Sequence, residues 1–87
     1  MEENMKDFIR NELVNIRNKN IKTFDCQYVS DNGNTISMIG NVKNGMADFE
    51  ITRTKANGHK CSGIPVFQMP LSDELINKIA EIAVKNL

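Results

Sequence analysis

The densest run of chemically capable side chains is Arg53-Thr54-Lys55-Ala56-Asn57-Gly58-His59-Lys60-Cys61-Ser62-Gly63, which holds the only histidine and one of two cysteines. A metal site would have to use His59 and Cys61, with Cys26 as a third ligand. Structural zinc wants four ligands in paired short spacings such as Cys-x-x-Cys, and no such pair is present. A Cys61 nucleophile with His59 as base needs the two side chains to meet and a third group to orient the ring; residues two apart meet only in special loop geometry. Gly58, Lys60, Ser62 and Gly63 have the residue types of a phosphate cradle, but a phosphate loop opens directly onto a helix, and here Ile64-Pro65 follows. Nucleic-acid binding suits the residue types better, since Arg53, Lys55, His59 and Lys60 form a local basic group just past an expected strand end. No carboxylate pair, triad, metal set or cofactor fingerprint is spaced for catalysis. The expectation is a non-enzymatic protein with no cofactor and no metal.

The totals limit the partners. Eleven Lys and Arg cancel eleven Asp and Glu, so nothing supports coating nucleic acid or an anionic membrane through the whole surface. The apolar runs are a few residues long, far below the roughly 20 a membrane helix needs, so no membrane partner is expected. The acidic start Met1-Glu2-Glu3-Asn4 is unlike a secretory signal, and two cysteines are too few for a disulfide framework. The expected location is cytoplasmic, with both thiols free. An apolar share of 40% and a charged share of 25% are ordinary for one small globular domain, residues 1–87.

The elements that must position these residues centre on Thr35 to Thr54. Asn44-Gly45 between alternating apolar residues is a strong two-residue hairpin signal, because a type I′ turn needs positive φ at both central positions. It pairs Val42 with Ala47, Gly40 with Phe49, Met38 with Ile51 and Ile36 with Arg53. For the preceding strand, Lys22 to Ser30, a two-residue Asn32-Gly33 loop would put Phe24, Cys26 and Tyr28 on the wrong face. A one-residue slip inverts a strand, so a three-residue Asp31-Asn32-Gly33 loop with left-handed Gly33 is expected. It pairs Tyr28 with Ile36, Cys26 with Met38 and Phe24 with Gly40, leaving Gly40 as a floor between two phenylalanines.

Met5, Phe8, Ile9, Leu13 and Ile16 predict an amphipathic helix from Asn4, its N-cap, to about residue 19, with Glu2, Glu3 and Asp7 at its positive end and Asn18 and Asn20 at the exit. Residues 56–63 read as a polar loop and 64–70 as extended, with a short edge strand near 66–69 limited by its prolines. Ser72 is the expected N-cap of the last helix, with Leu71 and Ile76 as a hydrophobic staple. That helix offers Leu75, Ile76, Ile79, Ala80, Ile82, Ala83 and Leu87 to the core, with Glu74–Lys78 and Glu81–Lys85 as i,i+4 pairs. The fold expected is α+β: a two-layer αβββα arrangement in which both helices pack on one face of a three-stranded antiparallel meander.

The order helix–three strands–helix is similar to that of the double-stranded-RNA-binding domain, over most of the chain and at the level of topology. That resemblance implies a lysine cluster at the start of the second helix to hold phosphates. This chain has Ser72, Asp73 and Glu74 there, and like charge repels a nucleic-acid backbone.

The face opposite the helices exposes Val29, Ile39 and Met46 among Asn41, Asp48 and Glu50, unless residues 64–70 fold over it. An apolar centre with a polar rim suits a protein partner or a homodimer through this open face. The leading expectation is a small regulatory interaction module that binds another macromolecule, most simply a protein, of the size of accessory proteins such as those of phages and mobile elements. Nucleic-acid binding through Arg53, Lys55, His59 and Lys60 is the second.

Overall fold

The structure is a computed structural model that describes residues 2–86, apart from the side chains of Glu2, Glu3 and Ser62. Leu87, counted above into the last helix's apolar face, lies outside the described residues. The order is α1 (Glu2–Asn18), β1 (Thr23–Val29), β2 (Thr35–Lys43), β3 (Met46–Thr54), β4 (Lys60–Pro70) and α2 (Asp73–Asn86). It is an α+β fold in which an antiparallel sheet, in the order β1-β2-β3-β4, carries both helices on one face.

Both inner hairpins form in the expected register. Val42 pairs with Ala47, Gly40 with Phe49 and Met38 with Ile51, across a turn in which Asn44 and Gly45 have φ of 55° and 77°. Tyr28 pairs with Ile36 and Phe24 with Gly40, across a loop in which Gly33 has φ of 84°. A Cβ on Gly40 would lie 2.2 Å from the Asp48 carbonyl oxygen and 2.3 Å from the Phe49 Cβ. The missing side chain lets the Phe24 and Phe49 rings meet edge to face, with centroids 5.5 Å apart.

β4 departs from expectation: it is an 11-residue strand, not a short one near 66–69. The polar segment expected as a loop over 56–63 is mostly hairpin. Lys55 N–H donates to the His59 carbonyl at 2.8 Å, His59 N–H donates to the Asn57 side-chain oxygen at 2.9 Å, and Gly58 has φ of 90°. This is the chemistry of the first hairpin, where Ser30 N–H donates to the Asn34 carbonyl at 2.8 Å and Asn34 N–H to the Asn32 side-chain oxygen at 3.3 Å. Register shifts at Arg53/Thr54 and Ala47/Phe49 mark two bulges in β4. At the second, Asp48 opposes both Phe67 and Gln68; Gln68 has φ of 49°, and its N–H donates to the Asp48 carboxylate at 2.8 Å. Pro65 and Pro70 are tolerated because β4 is an edge strand.

α1 begins at Glu2, ahead of the expected cap, so Asn4 sits inside the first turn. Acidic residues at the positive end of the helix dipole extend the helix past it. The exit is a Schellman motif. Asn20 has φ of 54°, its N–H donates to the Arg17 carbonyl at 3.2 Å, and Ile21 N–H donates to the Ile16 carbonyl at 3.0 Å. Ser72 caps α2 as expected, its hydroxyl accepting from Leu75 N–H at 3.2 Å, and Leu71 and Ile76 are both buried. The core joins Ile9, Leu13 and Ile16 of α1 and Ile76, Ile79, Ala80 and Ala83 of α2 to Ile36, Met38, Ala47, Phe49, Ile51 and Val66 of the sheet.

Candidate interaction surface

The sheet registers set the residues of the uncovered face in rows. Val29, Thr35, Thr54 and Lys60 form one; Gln27, Ser37, Thr52 and Gly63 the next; then Asp25, Ile39, Glu50 and Pro65; then Thr23, Asn41 and Asp48; and last Lys43, Met46 and Pro70. Ile39 is 53% exposed near the middle, with Val29 at 66% and Met46 at 43% towards the ends. Residues 64–70 do not fold over this face, because they are part of β4 and extend the sheet sideways.

β4 also adds a residue that the sequence reading missed. Phe67 follows core-facing Val66, so it turns to the open side, and at 72% it is more exposed than Val29, Ile39 or Met46. Reading Asn57-Gly58 as a second x-Asn-Gly hairpin would have found β4, and strand alternation would then have placed Phe67 outward.

The polar candidates divide into different roles. Asn41 is exposed and makes no side-chain hydrogen bond among the described residues, so it is free to meet a partner. Asp48 is half-buried and engaged, since its carboxylate pins the bulge at Gln68. Glu50 lies over Gly63, where a Cβ would meet its Oε2 at 2.8 Å, and its Oε1 pairs with Lys60 Nζ at 3.4 Å. That ion pair joins the sheet-face and basic-loop candidates into one continuous surface. Being exposed, it contributes about 0–1 kcal/mol.

The basic group itself comes apart. Arg53 stands opposite Ile36 on the helix-covered side, with its Nε buried. The alternation that sets it against Ile36 removes it from the surface cluster. Lys60 is paired with Glu50, which leaves Lys55 and His59 exposed at the hairpin end. A phosphate at Gly58–Gly63 would meet the Glu50 carboxylate beside Gly63. The Cys61 thiol donates at 3.7 Å to the main-chain carbonyl of His59, not to its ring. Cys26 lies on β1, at the opposite edge of the sheet from Cys61 on β4, and no group of three or more His, Cys, Asp or Glu able to hold a metal occurs among the described residues. Burial, reinforced by the neighbouring Glu12 carboxylate, pushes the Cys26 thiol up to about 11.

A second apolar feature, a shallow groove of about 190 Å³, runs between β4 and α2, lined by Ile64, Val66, Met69, Leu75, Ile79 and Ile82. No helix of the described residues is long and apolar enough to cross a membrane. Comparison with protein-family models, with curated proteins and with solved structures returned no match.

Proposed function

We propose that this chain is a non-enzymatic interaction module that binds a protein partner through the open sheet face. The observation that carries the reading is one-sided packing: both helices share one face of the sheet, and the other presents Ile39, Val29, Met46 and Phe67 within a polar rim. Complex formation would remove these apolar side chains from water and leave Asn41 and Lys43 to set orientation at the rim. The reading sets the protein in the cytoplasm, supported by two free thiols on opposite sheet edges.

The test is capture from native cells with mass analysis of the bound material, using wild type beside Ile39→Asp and Phe67→Asp. Both positions are exposed, so the variants should fold. Each is expected to lose partner capture by tenfold or more, as an anchor placed in the centre of an interface does. Unchanged capture by both variants sinks the open-face reading. The nucleic-acid alternative rests on Lys55, His59 and Lys60. It requires binding that falls steeply with salt and weakens in Lys55→Ala with Lys60→Ala.

A further inference from the structure

The two free edges of the sheet are built differently. β4 carries Pro65, Pro70 and two bulges, all devices that stop another strand from adding. β1, Thr23-Phe24-Asp25-Cys26-Gln27-Tyr28-Val29, has no proline, glycine, lysine or bulge, and its register with β2 is unbroken. From these features we infer that β1 is a homodimerisation edge, pairing antiparallel with β1 of a second copy about a two-fold axis at Cys26.

The hydrogen-bond phase of the ladder fixes which groups are offered. Ser30 N–H donates to the Asn34 carbonyl and Val42 N–H to the Lys22 carbonyl, so the even-numbered residues of β1 point their main-chain groups at β2. Thr23, Asp25, Gln27 and Val29 therefore point theirs outward, where no strand pairs with them among the described residues. Antiparallel pairing about Cys26 sets Asp25 against Gln27 of the second copy and Thr23 against its Val29. It is the one symmetric register that satisfies every outward N–H and C=O. Centring on Asp25 would oppose two carboxylates, and centring on Gln27 would leave Thr23 unpaired and set Asp25 against Val29.

The side chains agree with the same register. Phe24, Cys26 and Tyr28 are half-buried on the helix side. Phe24 would lie across from Tyr28 of the second copy, an aromatic cross-strand pair made twice by symmetry. On the other side, the Gln27 amide would meet Asp25, so no like charges are opposed within the strands. The like-charge cost lies in the helix layer, where Glu12 accepts from each Cys26 thiol at 3.7 Å and the two carboxylates flank the axis. The product is one continuous sheet of twice the width, with its β4 ends guarded. This pairing is independent of a protein partner on the open face.

The experiment combines sedimentation from micromolar to millimolar concentration with amide hydrogen exchange on the intact chain. A dimer is expected in which the Thr23, Asp25, Gln27 and Val29 amides exchange at least tenfold more slowly than in dilute solution. Gln27→Pro removes an outward N–H and the side-chain amide that would meet Asp25, and breaks no hydrogen bond to β2, so the monomer should keep its circular dichroism while the dimer weakens at least tenfold. Glu12→Gln should tighten it. A monomer at millimolar concentration overturns the inference, as does a dimer whose Asp25 and Gln27 amides exchange freely. The latter result would place self-association elsewhere, and Ile39→Asp would then test the open face separately.

Discussion

At the scale of single residues, two positions decide more than their size suggests. Gly40 has backbone atoms of β3 where any Cβ would go, and neither the Asp48 carbonyl nor the Phe49 Cα can yield without parting the central strands. Gly40→Ala is expected to lower stability by about 3 kcal/mol, measured by urea unfolding, as an overpacked core position does. Cys26 gives a pH signature. Its thiol is raised from 9.0 to about 11 in the folded chain, so between those values the folded state holds a proton that the unfolded state has released. Stability from this group is therefore whole below about pH 9 and is lost as pH rises towards 11. Unfolding midpoints across that range should fall in wild type and fall less in Cys26→Ala. Alkylation of Cys26 near pH 8 should be slower than in the unfolded chain by tens of fold, because its thiolate is scarce.

At the scale of elements, what the sequence could disclose depended on unbroken periodicity. β2 and β3 alternate cleanly around Asn44-Gly45, and requiring the aromatic side of β1 to match them was enough to choose the three-residue loop at 31–33. β4 stayed hidden because its bulges shift the two-residue period at Cys61 and again at Phe67–Gln68, while Pro65 reads as a breaker. The same gap cost the site its most exposed aromatic residue, Phe67, whereas Arg53 was grouped with the basic residues even though its pairing with Ile36 sets it on the helix-covered side. The expected Glu74–Lys78 and Glu81–Lys85 pairs do not close either; among the described residues the ion pairs are Asp7–Arg10, Arg17–Asp73 and Glu50–Lys60. The bulge makes its own prediction. Gln68 holds a left-handed conformation that favours glycine, so Gln68→Gly should stabilise the protein by about 0.5–1 kcal/mol. Asp48→Ala, which strips the acceptor from the Gln68 N–H, should cost about 1–2 kcal/mol. Thermal unfolding of the two variants separates these signs.

At the scale of the whole molecule, both helices lie on one side, and the terminal ones in sequence are neighbours in space. Arg10 Nε donates to the Asn77 side chain at 2.9 Å, and Arg17 holds the start of α2 through the Leu71 carbonyl at 3.3 Å and the Asp73 carboxylate. Every sheet pairing, by contrast, joins strands adjacent in the chain through connections of two to five residues. Such pairings close little chain entropy and form fast, whereas bringing α1 to α2 must wait until the rest of the chain has gathered. The clasp between the helices therefore belongs to the late side of the folding barrier. Arg10→Ala and Arg17→Ala should each raise the unfolding rate and leave the refolding rate nearly unchanged in stopped-flow measurements. A short meander zips the sheet together, and the two-helix clasp sets how long the finished molecule lasts.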